Sequence, residues 1–282
     1  MTSGGDAAGM NPAIKSAVDH ARQLGMNPYV VYDGLEGLID GKIKEATREL
    51  TSDMIYRGGT LLRSSRSKRF FDYEFRKQAY EHLKARDINK LIIMGGDGSF
   101  RALNDFFNDF EVPFAGIPAT IDNDIAGTDY CLGVDTAQNV ILDCIDSVRD
   151  TARSHHRAFV IETMGRDCGY LAMTTALCSA VDICIVPEIP YDLESIYKRL
   201  QPAINEEGSC IIAVVAEGTR VAQYLTRWLT ERAGMDTRLT VLGHVQRGGS
   251  PSARDRLMGT RFATRAVEAL HKGDCLLYTS PS

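Results

Sequence analysis

The sequence predicts a doubly wound α/β fold with mainly parallel sheets. Three observations lead there. Short runs rich in Val and Ile alternate with stretches of helical period. Several runs, such as Leu91-Ile92-Ile93-Met94, are apolar at every position, which suits strands covered on both faces. Glycine-rich turns recur just after these runs, where open parallel sheets hold their ligands.

Taken in order, strands are expected at 29–32, 90–94, 113–117, 158–162, 182–186 and 210–215. Helices are expected over 11–24, 73–86, 98–107, 135–151, 168–180, 192–206, 221–233 and 254–271. In the fourth of these, Ala137, Val140, Ile141, Cys144, Ile145 and Val148 share one face. The glycine-rich turns are Thr2-Ser3-Gly4-Gly5-Asp6, Gly95-Gly96-Asp97-Gly98-Ser99, Met164-Gly165-Arg166 and Gly248-Gly249-Ser250-Pro251. Only Met1 precedes the first, so the opening strand of the sheet is expected to be missing. Residues 274–282 continue no pattern and are expected to lie outside the fold.

Composition narrows the class. The 282 residues carry 32 Lys and Arg against 37 Asp and Glu, a net charge of −5, with 44% hydrophobic and 24% charged residues. These values exclude a collagenous, disordered or disulfide-scaffold chain. The length suits one large or two modest domains. The mild acidic excess gives no reason to expect a nucleic-acid or membrane partner. No apolar run approaches the roughly 18 residues of a spanning helix, and no signal-peptide pattern opens the sequence. Seven cysteines with no C-x-x-C pair read as reduced thiols, so a cytoplasmic location is expected.

Two turns could carry chemistry. In Gly95-Gly96-Asp97-Gly98-Ser99, glycines would let backbone N–H groups approach a phosphate at a helix N-terminus. Asp97 would repel that phosphate unless a cation lay between, which makes it a magnesium candidate. Alternatively, Asp97 caps the helix and the glycines merely turn the chain. In Thr120-Ile121-Asp122-Asn123-Asp124, carboxylates two residues apart point the same way in an extended loop. One could accept a hydroxyl proton while the other orients it, or the stretch is a self-capping Asx turn. Basic groups recur at strand ends: Arg157, Arg166, Arg238, His244 and Arg247. Arginine forks suit phosphate oxygens, although any single one also suits a solvated face. Glu217 could accept hydroxyl hydrogen bonds or cap a loop. Together these parts describe phosphoryl transfer from a nucleotide to a phosphorylated acceptor.

T-S-G-G-D at 2–6, G-G-D-G-S at 95–99, T-I-D-N-D at 120–124, M-G-R at 164–166 and G-H-V-Q-R-G-G-S-P at 243–251 together resemble the bacterial ATP-dependent 6-phosphofructokinases. The match runs from Thr2 to about residue 273. It implies two similar α/β/α domains with the active site in the cleft between them. Residues 1–131 with 245–273 would bind ATP, and 132–244 the sugar phosphate. The reaction implied is phosphoryl transfer from MgATP to the 1-hydroxyl of fructose 6-phosphate. Asp122 would be the general base, with Thr120, Asp124 and Arg166 orienting the reactants. Gly5, Arg66, Ser67, Gly96, Gly98 and Ser99 would contact ATP, and Asp97 would hold Mg2+. Arg157, Arg238, His244 and Arg247 would grip the 6-phosphate, and Met164, Gly165 and Glu217 the sugar. Arg157 and Arg238 reach a neighbouring subunit's site in that family, which implies a homotetramer.

Pyrophosphate-using relatives carry Asp where Gly98 stands and Lys where Ala119 stands, so both positions here favour ATP. Lys15, Arg48 and Arg149 match the family's effector pocket. Asp19, Glu206 and Gly208 replace basic residues there, which implies weak or altered control by ADP and phosphoenolpyruvate. The alternatives are a pyrophosphate-dependent relative, a regulatory subunit that has lost catalysis, or an incomplete fragment that turns over poorly. Retention of Asp97, Asp122, Asp124 and Arg166 counts against lost catalysis.

Overall fold

The computed structural model describes residues 1–206, 209–274 and 277–278. Its elements in chain order are α1 (Met10–Gln23), β1 (Tyr29–Val31), α2 (Gly34–Ile39), β2 (Ile43–Glu45), α3 (Arg48–Thr51), α4 (Tyr73–Lys84), β3 (Leu91–Gly95), α5 (Asp97–Phe110) and β4 (Phe114–Pro118). There follow α6 (Val134–His155), β5 (Ala158–Thr163), α7 (Tyr170–Ser179), β6 (Ile183–Ile185), α8 (Leu193–Ile204), β7 (Ile211–Ala216), α9 (Ala222–Ala233), β8 (Thr237–Val241), α10 (Ala253–Lys272) and β9 (Leu277–Tyr278). Each strand and helix expected from the sequence is present. None of the helices among the described residues is long and apolar enough to cross a membrane.

Cα packing divides the chain into two compact units. One holds Met1–Thr120, Asp124–Thr136 and the chain from Arg247 onward; the other holds Ile121–Asn123 and Ala137–Gln246.

In the first unit, β3, β4 and β9 form a parallel sheet, with Leu91 opposite Phe114 and Gly95 opposite Pro118. Every residue of β4 is buried, as a strand covered on both faces requires. Gly116 is needed there, because a Cβ would come 2.8 Å from the Phe100 ring of α5. Beside β3, Ser3 N–H donates to the Met94 carbonyl (2.9 Å) and Met94 N–H to the Met1 carbonyl (3.0 Å). Residues 1–3 thus run along β3 where the opening strand was expected to be missing. The tail expected outside the fold falls mostly on 275, 276 and 279–282, beyond the described residues, but Leu277–Tyr278 pair with Ala115 and Gly116 of β4.

The 29–32 strand does not join a parallel sheet. β1 pairs antiparallel with β2, Tyr29 opposite Glu45, in a separate two-stranded ribbon. The short connection through α2 is too brief for a parallel crossover.

In the second unit the strand order is β6-β7-β5-β8, all parallel. The run Ile-Ile-Ala-Val-Val-Ala of β7 is wholly buried. Val160, Ile183, Ile185, Val215, Leu225 and Leu229 lie in one core, where each large aliphatic side chain contributes about 1.5–3 kcal/mol. Trp228 is only partly buried against it and meets Tyr197 edge-on at 6.1 Å. Ala137, Ile141 and Ile145 of α6 are fully buried, while Val140, Cys144 and Val148 are half-buried.

Within the first unit, Asp255 of α10 is fully buried. Its carboxylate accepts from Gly133 N–H (3.0 Å), Thr136 N–H (2.8 Å) and the Thr136 hydroxyl (2.6 Å). Burial pushes its pKa up, opposed by those hydrogen bonds. Asp255→Ala strands two backbone donors at about 1–3 kcal/mol each, so urea unfolding is expected to record a loss of about 2–5 kcal/mol. A loss below about 0.5 kcal/mol would mean that water replaces the carboxylate.

Candidate active site

The M-G-R turn follows β5 in the second unit. Gly165 has φ 136° and Arg166 φ 51°, both left-handed, a region that costs a side-chain-bearing residue about 1–2 kcal/mol. The turn is held by its own N–H groups. Met164 N–H donates to Gln246 Oε1 (3.1 Å), and Gly165 and Arg166 N–H both donate to Glu217 Oε1 (3.2 and 2.8 Å). Gln246, 1% exposed, also donates from Nε2 to the Gly243 carbonyl (2.9 Å). A Cβ on Gly218 would strike the Arg166 carbonyl, so the backbone after Glu217 packs directly beneath the turn.

So fixed, Arg166 brings Nε to 3.2 Å from Asp122 Oδ2; the Asp122 side chain is 3% exposed and that of Arg166 57%. Taking a carboxylate out of water is unfavourable unless compensated, and the guanidinium supplies compensation. Burial, and next the charge of Glu217, push the Glu162 pKa up.

Two further candidates converge in this unit. Arg157 Nε lies 2.7 Å and Arg238 Nη2 3.1 Å from the same Asp236 Oδ2. β5 and β8 run in register there, Phe159 opposite Arg238. His244 is exposed on the single 3-10 turn Gly243–Arg247.

In the first unit, β3 runs into α5 through Gly96, which occupies the N-cap position, so Asp97 is the first helical residue and not the cap. Asp97 is exposed and pairs with Arg101 Nε at 2.9 Å. Gly98 faces open space, and a Cβ on Gly96 would lie 4.0 Å from Thr120 Cβ. Ser99 is buried 3.5 Å from where a Cβ on Gly4 would sit. Gly4, Gly96, Ser99 and Thr120 therefore gather in this unit. Gly5 is covered by the Arg247 guanidinium, whose Nη1 donates to the Asp6 carbonyl (3.3 Å). Arg66 and Asp124 are exposed. The Ser67 hydroxyl donates to Glu36 and accepts from Phe70 N–H (3.1 Å), which commits it to the fold.

No group of three or more His, Cys, Asp or Glu among the described residues is arranged for a metal ion. The residues present fit magnesium in one way: a single exposed carboxylate, Asp97, suffices where phosphates and waters complete the shell. Asp236 and Gln246 were not singled out from sequence. The one signal for Gln246 was its place inside the 243–251 motif.

The phosphofructokinase family model matches residues 1–270. The chain belongs to the phosphofructokinase family. A Wolinella succinogenes protein named ATP-dependent 6-phosphofructokinase is 52% identical over 274 residues, covering 97% of this chain and 86% of that one. The Sulfurimonas denitrificans protein of the same name is 52% identical over 271 residues, covering 96% and 85%. Phosphofructokinase from Saccharomyces cerevisiae superposes with a TM-score of 0.86 at 32% identity, over 96% of this chain and 41% of that one. A pyrophosphate-dependent phosphofructokinase from Marinobacter aquaeolei superposes with a TM-score of 0.85 at 23% identity, which speaks for the fold alone. Its relatives share the α/β fold with parallel sheets found here.

Because Gly218 admits no Cβ, Gly218→Ala is expected to push the Arg166 backbone aside. A fall in Tm of several degrees, for a penalty of about 1–3 kcal/mol, should accompany loss of the Arg166–Asp122 contact. An unchanged Tm would show that the turn yields freely.

Proposed function

We propose that this phosphofructokinase transfers the terminal phosphoryl group of MgATP to the 1-hydroxyl of fructose 6-phosphate, giving fructose 1,6-bisphosphate and ADP. The observation that carries the reading is the buried Asp122 carboxylate, 3.2 Å from a guanidinium held on a turn tied down by three N–H groups. Asp122 accepts the hydroxyl proton as oxygen attacks phosphorus. Arg166 offsets charge on the transferring group, and Thr120 and Asp124 orient the reactants.

ATP phosphates lie against the N-terminus of α5, where Gly96 and Gly98 leave the backbone accessible, with Gly5, Arg66, Ser67 and Ser99 contributing. Since the Ser67 hydroxyl is already engaged, its share is the weakest of these. Asp97 holds Mg2+, which when bound neutralises charge on the phosphate oxygens. Arg157, Arg238, His244 and Arg247 take the 6-phosphate, and Met164, Gly165 and Glu217 the sugar. Glu217 gives Oε1 to the backbone, so Oε2 is the oxygen left to the hydroxyls. The first unit, which also holds Arg247, is then the ATP side and the second the sugar-phosphate side of a two-domain, cytoplasmic enzyme. Arg157 and Arg238 serve a neighbouring subunit in a homotetramer.

The donor follows from space and burial. Gly98 borders open volume, whereas Asp in its place would repel the α-phosphate of ATP. Ala119 is 1% exposed, so a Lys paired to pyrophosphate would have to be buried there. Control by ADP and phosphoenolpyruvate is expected to be weak or altered. Lys15 Nζ is taken up by Asp19 at 2.6 Å, and Arg149 donates to the Ser179 carbonyl. Glu206 is exposed, and Gly208 lies outside the described residues.

Assays coupled to fructose 1,6-bisphosphate, with ATP and then pyrophosphate as donor, test the reading. Asp122→Asn is expected to lower kcat about 10²–10⁴-fold while both substrates still bind. Turnover retained in that variant would remove Asp122 from its role, and preference for pyrophosphate would overturn the donor. Asp19→Ala, by freeing Lys15, is expected to strengthen ADP activation; an unchanged response would dismiss the account of weak control.

A further inference from the structure

Gln246 is given no role of its own in the reading above, yet it holds one of the three N–H groups that tie down the M-G-R turn. It is 1% exposed, and both ends of its amide are used. Oε1 accepts from Met164 N–H at 3.1 Å; Nε2 donates to the Gly243 carbonyl at 2.9 Å. The reverse orientation would set NH2 against an N–H and oxygen against oxygen, so the chemistry fixes which way the amide lies. A carboxamide offers a donor and an acceptor on neighbouring atoms without carrying charge.

The two segments it joins both carry residues proposed to meet the sugar phosphate. Met164 opens the turn that presents Arg166 to Asp122, and Gly243 opens the 3-10 turn that carries His244. Resting on the proposed function, we propose that Gln246 is a positioning residue. By bridging Met164 N–H and the Gly243 carbonyl, it holds the Arg166 turn and the His244 turn at a fixed separation, so that acceptor binding and Arg166 placement are set together. It touches no substrate. The β5–β8 ladder carries the two strands together as far as Leu242, whose N–H donates to the Glu162 carbonyl (3.1 Å). Beyond it the Gln246 amide extends the connection into the two turns, while Glu217 secures the second and third N–H groups of the M-G-R turn.

Gln246→Met keeps length and apolar bulk but makes neither bond. It is expected to lower kcat/KM for fructose 6-phosphate on the order of 10- to 100-fold, as small misplacements of reacting groups do, with KM for ATP within about twofold. A residue that only stabilised the fold would lower Tm and leave that split absent. Gln246→Glu adds a readout in pH. Protonated, the carboxyl donates to Gly243 and accepts from Met164 as the amide does; ionised, it repels the Gly243 carbonyl. Burial raises its pKa above the ordinary value of about 4.3, so kcat/KM relative to the parent should climb as pH falls toward that raised value. Hydrogen exchange at Met164 N–H should quicken in Gln246→Met and, at high pH, in Gln246→Glu. The proposal is overturned if the Met variant keeps both kinetic constants near the parent's, if the Glu ratio is flat with pH, or if Met164 stays protected. Exchange at Met164 needs no turnover, so a chain inactive on fructose 6-phosphate would sink the proposed function while still deciding the role of Gln246.

Discussion

The site depends on one requirement: the three backbone N–H groups that follow β5 must find partners. The ladder between β5 and β7 closes at Thr163 opposite Ala216, so residues 164–166 have no strand to bond. Leaving buried donors unmet costs about 1–3 kcal/mol each. The strand order β6-β7-β5-β8 supplies the answer, because β5 is flanked on both sides. The residue just after β7, Glu217, turns back to take two of the N–H groups. The turn just after β8 sends Gln246 to take the third. A left-handed Arg166 is tolerable only because both neighbours hold it, and that conformation delivers its guanidinium to Asp122. The general preference of parallel sheets for ligands at their carboxyl ends here has a specific cause: the middle strand's loop is tied down by its two flanks.

Charge around that loop is balanced closely. Glu162 sits half-buried near Glu217, and burial and then that like charge raise its pKa. Burial and that neighbouring charge both favour the protonated form of Glu162. Elsewhere in the unit, one oxygen of Asp236 engages both Arg157 and Arg238. All three side chains are substantially exposed, so the pairing adds little stability and yields readily to a stronger anion. Its effect is to keep two long, flexible side chains beside one another on the same carboxylate oxygen, an arrangement that suits the phosphate-binding role proposed for them.

Much of this was legible in the sequence, and the exceptions have physical reasons. Strands buried on both faces declare themselves, as β4 and β7 do, because every position must be apolar. β8 did not, since an edge strand reading Thr-Arg-Leu-Thr-Val has one exposed flank and carries polar residues. The β1–β2 ribbon was missed because a three-residue run cannot reveal whether its partner is parallel. In the candidate site, the motifs located Asp122, Arg166 and the Gly96–Ser99 turn from residue type and spacing. What spacing could not reveal was which side chains serve the backbone. Ser67, which the resemblance implied would contact ATP, has a hydroxyl that caps a turn and bonds Glu36. Glu217 proved to be both candidate and clamp, and Gln246 carried no chemistry of its own to attract notice.

The side proposed for the nucleotide follows a complementary logic. Gly96 caps α5 without a side chain, so no oxygen from the chain itself occupies the space before the helix. Had Asp97 been the cap, its carboxylate would have bonded those N–H groups and excluded a phosphate by charge. Moved one position on, the same carboxylate is exposed and balanced by Arg101, a surface pair that a multivalent cation displaces at small cost. The helix end is left open to an anion, with a negative group beside it for the counter-ion. On the proposed reading, the shift of one residue across a helix boundary decides whether the turn would repel phosphate or accept it with its metal, and glycine at 96 permits the second.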